Sequence, residues 1–256
     1  MIIGACSFGS TGSSVVTDYL CEFNDIQVLD KMEFTWVSAV DGILDLEYHL
    51  MHPHGRTADS IVAIERYREK VQSNLRMYKK KGGIDPVLFK ESSEKFLDAI
   101  TQLKWDWYLP HKGNFFRTHI IDEIVKKRLI PRFERRKGHR ITCWPMEKIS
   151  FSVCPENFYI AARTHVHELI AALGADFSRP IALDQPFAGN YPQACFPFFD
   201  DPYAVVVDRD PRDNYIFANT KLIGMTHFMP NQPVEDYVKY YRALRDKQPY
   251  KESNDR

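Results

Sequence analysis

The first twenty residues limit most strongly what this chain can fold into. An apolar run at residues 1–6 leads into a loop of Gly, Ser and Thr at 8–14, and this loop opens a segment with helical apolar spacing. Glycines let a backbone approach a bound group, hydroxyls donate hydrogen bonds, and a helix N-terminus favours anions. We therefore expect a phosphate-binding loop. The alternative is a plain strand-to-helix turn with Ser13 or Ser14 as N-cap.

The loop differs from two common phosphate-binding motifs. The pattern Gly-x-x-x-x-Gly-Lys-Ser/Thr needs a lysine, and no lysine occurs between residues 1 and 30. The spacing Gly-x-Gly-x-x-Gly is absent as well. A phosphate role for this loop therefore needs support from elsewhere in the chain.

Composition argues against several classes of protein. Among 256 residues, 34 basic and 34 acidic side chains give no net field that would attract nucleic acid or a membrane surface. No apolar stretch approaches the roughly 18 residues of a membrane span, and the N-terminus lacks signal-peptide features. The cysteines form no Cys-x-x-Cys pair, which indicates reduced, mostly buried thiols in a cytoplasmic protein. They stand at positions 6, 21, 143, 154 and 195.

Apolar runs alternate with amphipathic segments, which predicts an α/β fold. Besides residues 1–6, the expected strands are 26–29, 180–183 and 204–207, with 33–37 extending or flanking the second. The expected helices are 59–81, 90–103, 119–136, 156–173, 211–222 and 234–244. This alternation implies a three-layer fold in a single domain, 1–256, with a mostly parallel central sheet flanked by helices.

Polar loops follow three of the expected strands, at 8–14, 184–186 and 208–213. Carboxyl ends of parallel strands meet at one edge of a sheet, and ligands bind there. The three loops are therefore expected to form one site.

The loop at 208–213 is unusually charged for the end of an apolar strand, with the sequence Asp-Arg-Asp-Pro-Arg-Asp. Buried charge is costly unless it is paired, so these acids could simply sit at a helix N-terminus and pair with Arg209 and Arg212. In the other interpretation Arg209 is a forked donor to a second phosphate. The strand also resembles a Walker B strand, in which Asp208 would serve a magnesium ion.

Together, these motifs resemble the sulfotransferases that use 3′-phosphoadenosine 5′-phosphosulfate (PAPS), a family with a P-loop-type fold. Residues 10–14 match the family's Lys-Ser-Gly-Thr-Thr, and residues 209–213 match Arg-Asn-Pro-Lys-Asp. The sequence is also similar to bacterial sulfotransferase-like proteins with a Gly-Ser-Thr-Gly-Ser-Ser loop. The resemblance covers residues 1–20 and about 180–222. The cofactor-binding residues that it implies are Gly9, Ser10, Thr11, Gly12, Ser13, Ser14, Arg209 and Arg212.

The chain departs from this family pattern in three places. Ser10 replaces the loop lysine that neutralises the oxygen bridging sulfate and phosphate. Phe217 replaces a serine of the 3′-phosphate clamp, for which nearby polar residues are possible substitutes. The sequence stops at Arg256, where such proteins usually continue, so the domain is expected to be incomplete at its C-terminus. The candidate substitutes for the clamp serine are Tyr215, Asn219 and Thr220.

Asp184 is the candidate general base, and with Ser10 it completes the catalytic candidates. In cytosolic members of the family a catalytic histidine occupies the corresponding strand end, which here reads Asp-Gln-Pro. A carboxylate there can accept the proton of an acceptor hydroxyl. In the alternative interpretation Asp184 caps or orients the first loop.

The resemblance implies transfer of a sulfuryl group from PAPS to a hydroxyl of a carbohydrate or other small acceptor, without a metal. The helical region at about 58–138 is expected to be an insertion on the acceptor side. Aromatic residues at 105–112 could line an acceptor groove or pack in a core. His49, His52 and His54 are not expected to hold a metal, because Pro53 interrupts any helix. Two alternatives remain: a P-loop nucleotide kinase or NTPase, and a non-catalytic nucleotide-binding or scaffolding protein on the same fold.

Overall fold

Strands alternate with helices in the computed structural model of the chain, which describes residues 1–52, 58–107, 147–220 and 233–246. The strands are β1 (Ile2–Ser7), β2 (Gln27–Leu29), β3 (Leu103–Trp107), β4 (Glu147–Phe151), β5 (Ile181–Asp184) and β6 (Pro202–Val207). The α-helices are α1 (Ser14–Leu20), α2 (Ile43–Met51), α3 (Asp59–Lys81), α4 (Pro86–Ile100), α5 (Phe158–Ala172), α6 (Pro211–Thr220) and α7 (Val234–Asp246). A 3-10 helix covers Pro192–Phe198.

A four-stranded sheet in the order β2–β5–β1–β6 organises the larger part of the protein, and every pair of neighbouring strands is parallel. Ile2 of β1 lies opposite Ile181 on one side and Pro202 on the other. Parallel strands need crossover connections, and helices supply them here. The prediction of an α/β fold with a parallel sheet flanked by helices is confirmed.

Residues Gln102–Phe151 form a second compact unit, separate from the one that contains the parallel sheet. Its described part is an antiparallel pair, in which Leu103 lies opposite Phe151 and Trp107 opposite Glu147. The helix predicted at 90–103 ends at Ile100 in the structure, and Leu103, its predicted last residue, is the first residue of β3. The helix predicted at 119–136 and residues 108–112 of the aromatic segment lie outside the described residues.

Most predicted helices of the larger unit agree closely with the structure. Helix α3 has the predicted bounds, and α5 and α7 differ from prediction by at most two residues at either end. The segment 33–37 forms coil and turn after β2 and does not extend that strand. Cys6 and Cys195 are buried, whereas Cys21 and Cys154 are exposed, so only half of the described thiols are buried as expected. Cys143 lies outside the described residues.

Aromatic side chains fill much of the core against which the sheet packs. The Trp36 ring lies 4.9 Å from that of Phe89, and its indole N–H donates to the Tyr78 hydroxyl at 3.1 Å. None of the described helices combines the length and hydropathy needed to cross a membrane.

A buried histidine joins three helices of this core. One ring nitrogen of His165 lies 2.7 Å from the Tyr67 hydroxyl and the other 2.7 Å from the Ser92 hydroxyl, while Phe96 stacks on the ring. Two hydroxyl partners satisfy a neutral imidazole, which donates from one nitrogen and accepts at the other. Burial lowers the pKa of His165 from an ordinary 6.5 to about 3, although Glu168 opposes the shift.

We expect the free energy of unfolding to fall on acidification because of His165. The unfolded chain binds a proton at this residue near pH 6.5, whereas the folded chain binds it only near pH 3. The contribution is complete above pH 6.5 and is lost as the pH falls below it, by up to about 1.4 kcal/mol per pH unit. Urea unfolding of the wild type and of His165→Gln at pH 7.5 and 5.0 measures it. An equal pH dependence in both proteins would contradict the assignment.

Candidate functional site

A cleft of about 820 Å³ lies at the carboxyl ends of the parallel strands. The three polar loops that follow β1, β5 and β6 all contribute side chains to it, together with residues that follow β2. The residues lining it include Ser7, Gly9, Ser10, Gly12, Ser13, Ser14, Glu33, Thr35, Ser38, Asp184, Gln185, Gly189, Arg209 and Phe217. The structure thus brings together the three loops that the sequence singled out.

The loop after β1 has the backbone of an anion-binding turn. Gly9 and Gly12 have φ of 87° and 92°, and Ser10 takes the left-handed region at 54°. In the described part of the chain, no acceptor is found for the backbone N–H groups of residues 10–13. A run of free N–H groups in such a turn forms a concavity that favours anions.

Thr11 contributes to the loop in a different way from its neighbours. Its side chain is buried and does not line the cleft. Its hydroxyl donates a hydrogen bond to the Val207 carbonyl oxygen at 2.7 Å. Thr11 therefore fastens the β1 loop to the end of β6. The other five loop residues predicted to bind the cofactor, which are Gly9, Ser10, Gly12, Ser13 and Ser14, line the cleft.

Ser13 occupies the N-cap position, as the alternative of a plain turn expects, but it makes no side-chain capping bond. Helix α1 begins at Ser14. The Ser13 hydroxyl oxygen instead accepts a hydrogen bond from the Gln185 amide at 2.6 Å. The side chain of Ser13 is thus committed to the neighbouring loop and the cleft.

Asp184 stands at the end of β5 and lines the cleft. Burial raises the pKa of its carboxyl group, and the negative charges of Glu33, Asp30 and Asp18 raise it further. Its buried Oδ1 has no hydrogen-bond partner among the described residues. Gln185, and not Asp184, makes the side-chain contacts with the β1 loop. Asp184 therefore contributes to the cleft lining a carboxyl group whose pKa is raised.

Gly189 allows the chain after β5 to pass directly against β1. A Cβ atom at this position would lie 2.2 Å from the backbone oxygen of Ser7, far inside van der Waals contact. The residue therefore fixes how closely the wall of the cleft approaches the start of the β1 loop.

Two acids of the loop after β6, Asp208 and Asp210, are paired with arginines, whereas Arg209 has no ion pair among the described residues. Asp208 accepts from Arg245 at 2.5 Å, and Asp210 accepts from Arg212 at 2.5 Å. The Arg209 guanidinium lies 5.6 Å from the centre of the Phe217 ring. Arg209 lines the cleft. Arg212, with 85% of its side chain exposed, does not.

Phe217 has a role that the sequence did not suggest. It replaces the expected clamp serine, but its ring lies against Arg209 and also lines the cleft. The polar residues considered as substitutes do not line the cleft. Asn219 and Thr220 bond to carbonyls one helical turn earlier, and Tyr215 packs on Tyr237.

Arg245 of α7 is a structural partner of the site that sequence reasoning missed. Its guanidinium lies 4.1 Å from the centre of the Phe8 ring and 3.5 Å from that of Tyr241, and it donates two hydrogen bonds to Asp208. One helix thus holds both the β1 loop and the end of β6. No sequence motif distinguishes Arg245 from other arginines at helix ends, so nothing in the sequence could have identified it.

Asp208 is placed and paired in a way that disfavours a magnesium role. Partial burial acts to raise the pKa of its carboxyl, but hydrogen bonds from Arg245 and from the Arg209 N–H outweigh burial and lower it. A carboxylate that already accepts two bonds from a guanidinium has little capacity left for a cation. Among the described residues, no cluster of three or more His, Cys, Asp or Glu side chains is arranged to hold a metal.

Charge varies across the cleft in the order of the strands. The acids Glu33 and Asp184 follow β2 and β5, the uncharged loop follows β1, and Arg209 follows β6. An elongated ligand lying along this edge would meet carboxylates at one end and a guanidinium at the other.

Comparison of the chain with protein-family models, curated proteins and solved structures gave no match.

Proposed function

We propose that this protein is a PAPS-dependent sulfotransferase that transfers a sulfuryl group to a hydroxyl of a carbohydrate or other small acceptor. The observation that carries the proposal is that Arg209, which has no ion pair among the described residues, lies in the same cleft as a loop whose backbone N–H groups have no acceptor among those residues. Two separate anion sites in one cleft fit a ligand that carries a phosphosulfate at one end and a phosphate at the other.

We assign each part of the proposed reaction to a position along the order of the strands. The phosphosulfate would lie on residues 9–14, and the 3′-phosphate would bind Arg209 beyond β6. The acceptor would lie towards β2 and β5, next to Asp184. In this proposed arrangement the acceptor, the sulfur and the leaving phosphate would lie in line, as in-line transfer requires.

In the proposed step, the acceptor hydroxyl gives its proton to the Asp184 carboxylate while its oxygen forms a bond to sulfur. The bond between sulfur and the bridging oxygen breaks, and adenosine 3′,5′-bisphosphate leaves with the negative charge. Since Ser10 cannot neutralise that charge as a lysine would, the loop N–H groups and hydroxyls would stabilise it as preorganised donors.

Arg209→Ala is expected to weaken binding of adenosine 3′,5′-bisphosphate by at least tenfold. Removing a charged donor to the 3′-phosphate costs about 1.4 kcal/mol or more. Titration calorimetry measures the affinity, and Arg212→Ala is the matched control. It removes the same charge from the same loop, but Arg212 pairs with Asp210 outside the cleft. Equal affinities for Arg209→Ala and the wild type would refute the role of Arg209.

A thermal-shift panel separates this proposal from a nucleotide kinase or NTPase. Stabilisation by adenosine 3′,5′-bisphosphate and PAPS supports the sulfotransferase, whereas stabilisation only by ATP with Mg²⁺ supports the kinase. Binding of the bisphosphate without transfer of labelled sulfate to any acceptor would support a non-catalytic nucleotide-binding protein. Failure of the bisphosphate to bind at millimolar concentration would favour the scaffolding alternative.

A further inference from the structure

Gln185 is held in an unusual backbone conformation next to the cleft. Its φ is 56°, in the left-handed region that residues other than glycine rarely adopt. Its N–H donates to the Ala5 carbonyl at 2.8 Å, which ties the residue to β1. Strained positions of this kind persist where the surrounding structure fixes them, and they concentrate at functional sites.

The side-chain amide of Gln185 contacts two serines, Ser7 at the end of β1 and Ser13 in the loop after it. Its Nε2 donates to Ser7 Oγ at 2.8 Å and to Ser13 Oγ at 2.6 Å. An amide nitrogen carries two hydrogens, so both are used. Ser7 Oγ also accepts the Gly9 N–H at 3.4 Å.

This arrangement fixes the direction in which the two hydroxyls act. A serine hydroxyl has one hydrogen to donate and two lone pairs. Because the Gln185 amide donates to both oxygens, each hydroxyl hydrogen must go to another acceptor, and none is found among the described residues. Both serines line the cleft. Two hydroxyl donors are therefore available to a ligand that accepts hydrogen bonds.

We propose that Gln185 is a positioning residue that makes Ser7 and Ser13 a pair of hydrogen-bond donors to a phosphate or sulfate oxyanion. Resting on the proposed function, this assigns the pair to the phosphosulfate. Neutral donors then contribute part of the stabilisation that a charged lysine would give at position 10. The amide, which also bridges the loops after β1 and β5, keeps the donors in place before the anion arrives.

The test is a mutant cycle with inorganic pyrophosphate and adenosine 3′,5′-bisphosphate as probes, read by calorimetry. Gln185→Met removes the amide donors at similar volume and is expected to weaken pyrophosphate binding by fivefold or more. The double variant S7A/S13A is expected to lose at least as much. Adding Gln185→Met to S7A/S13A should cost less than a further twofold, because the amide acts through the two hydroxyls.

Gln27→Met is the matched control. The Gln27 amide is also hydrogen-bonded at both ends, donating to the Gly174 carbonyl at 2.9 Å and accepting the Asp176 N–H at 2.6 Å, but it does not line the cleft. Its loss should leave pyrophosphate affinity unchanged. Thermal melting of each variant shows that it is folded, and if Gln185→Met does not fold, S7A and S13A singly decide the matter.

The outcomes separate this inference from the proposed function. Pyrophosphate binding that is lost with Gln185→Met supports the inference even if the bisphosphate does not bind, in which case only the assignment to PAPS fails. Wild-type pyrophosphate affinity in Gln185→Met or in S7A/S13A overturns the inference. The inference is also overturned if Gln185→Met weakens pyrophosphate binding by the same factor in the wild type and in S7A/S13A. A wild type that binds neither probe at millimolar concentration overturns both proposals.

Discussion

An Asp184→Asn variant is expected to lose sulfuryl transfer by about 100-fold or more, the scale of a general base. Asparagine keeps the size and polarity of the side chain but cannot accept the acceptor's proton. Affinity for adenosine 3′,5′-bisphosphate should change little, because Arg209 and the β1 loop make the proposed anion contacts. Single-turnover transfer of labelled sulfate measures the first effect and calorimetry the second. Transfer at the wild-type rate would remove Asp184 from the mechanism.

The pH profile tests the same residue independently. Burial and the neighbouring acids raise the pKa of Asp184, so its carboxylate takes up a proton at a higher pH than an ordinary aspartate. The protonated form cannot act as a base, and transfer should therefore fall as the pH drops through that raised pKa. Glu33→Gln removes one of the neighbouring charges, and we expect it to move this acidic limb to lower pH. An unmoved limb would show that another group controls it.

Gly189→Ala is expected to destabilise the protein by about 1–3 kcal/mol, the usual cost of overpacking, and to weaken anion binding at the same time. Its methyl group would lie 2.2 Å from the Ser7 carbonyl oxygen, so the end of β1 or the chain after β5 must move. Ser7 is also the start of the β1 loop, which couples the two effects. Urea unfolding and pyrophosphate calorimetry measure them.

Gly174→Ala provides the comparison for Gly189→Ala. Gly174 has a φ of 91°, so alanine there costs about 1–2 kcal/mol of backbone strain. A Cβ at Gly174 would meet no atom within 4 Å, and the residue does not line the cleft. It should therefore lose stability but keep anion affinity. If Gly189→Ala likewise lost only stability, the close approach at Ser7 would have no bearing on the cleft.

Local patterns in the sequence were sufficient for the parallel sheet and for the loops that form the cleft. Apolar runs at β1 and β5 are strong signals because these central parallel strands are buried on both faces. Because the strands are parallel, the loops after them had to meet at one edge. Helix α3 was equally clear from its long amphipathic period.

Features that depend on distant contacts could not be predicted in this way. Helix α2 and the 3-10 helix at Pro192–Phe198 are short, and neighbouring polar residues or prolines obscure their periods. The partnership of Gln185 with Ser7 and Ser13 joins residues more than 170 positions apart. No local propensity encodes that choice of partner, since each side chain could satisfy its hydrogen bonds elsewhere.

The ion pair between Arg245 and Asp208 has a consequence for substitutions far from the cleft. Arg245 keeps Asp208 occupied, and Asp208 would otherwise compete with a ligand for Arg209. Losing Arg245 would release Asp208, the immediate neighbour of Arg209, as an internal competitor. A substitution on the helix Val234–Asp246 would then weaken anion binding at Arg209, because the released Asp208 would act as the inhibitor, although no residue of that helix contacts the anion in this proposal.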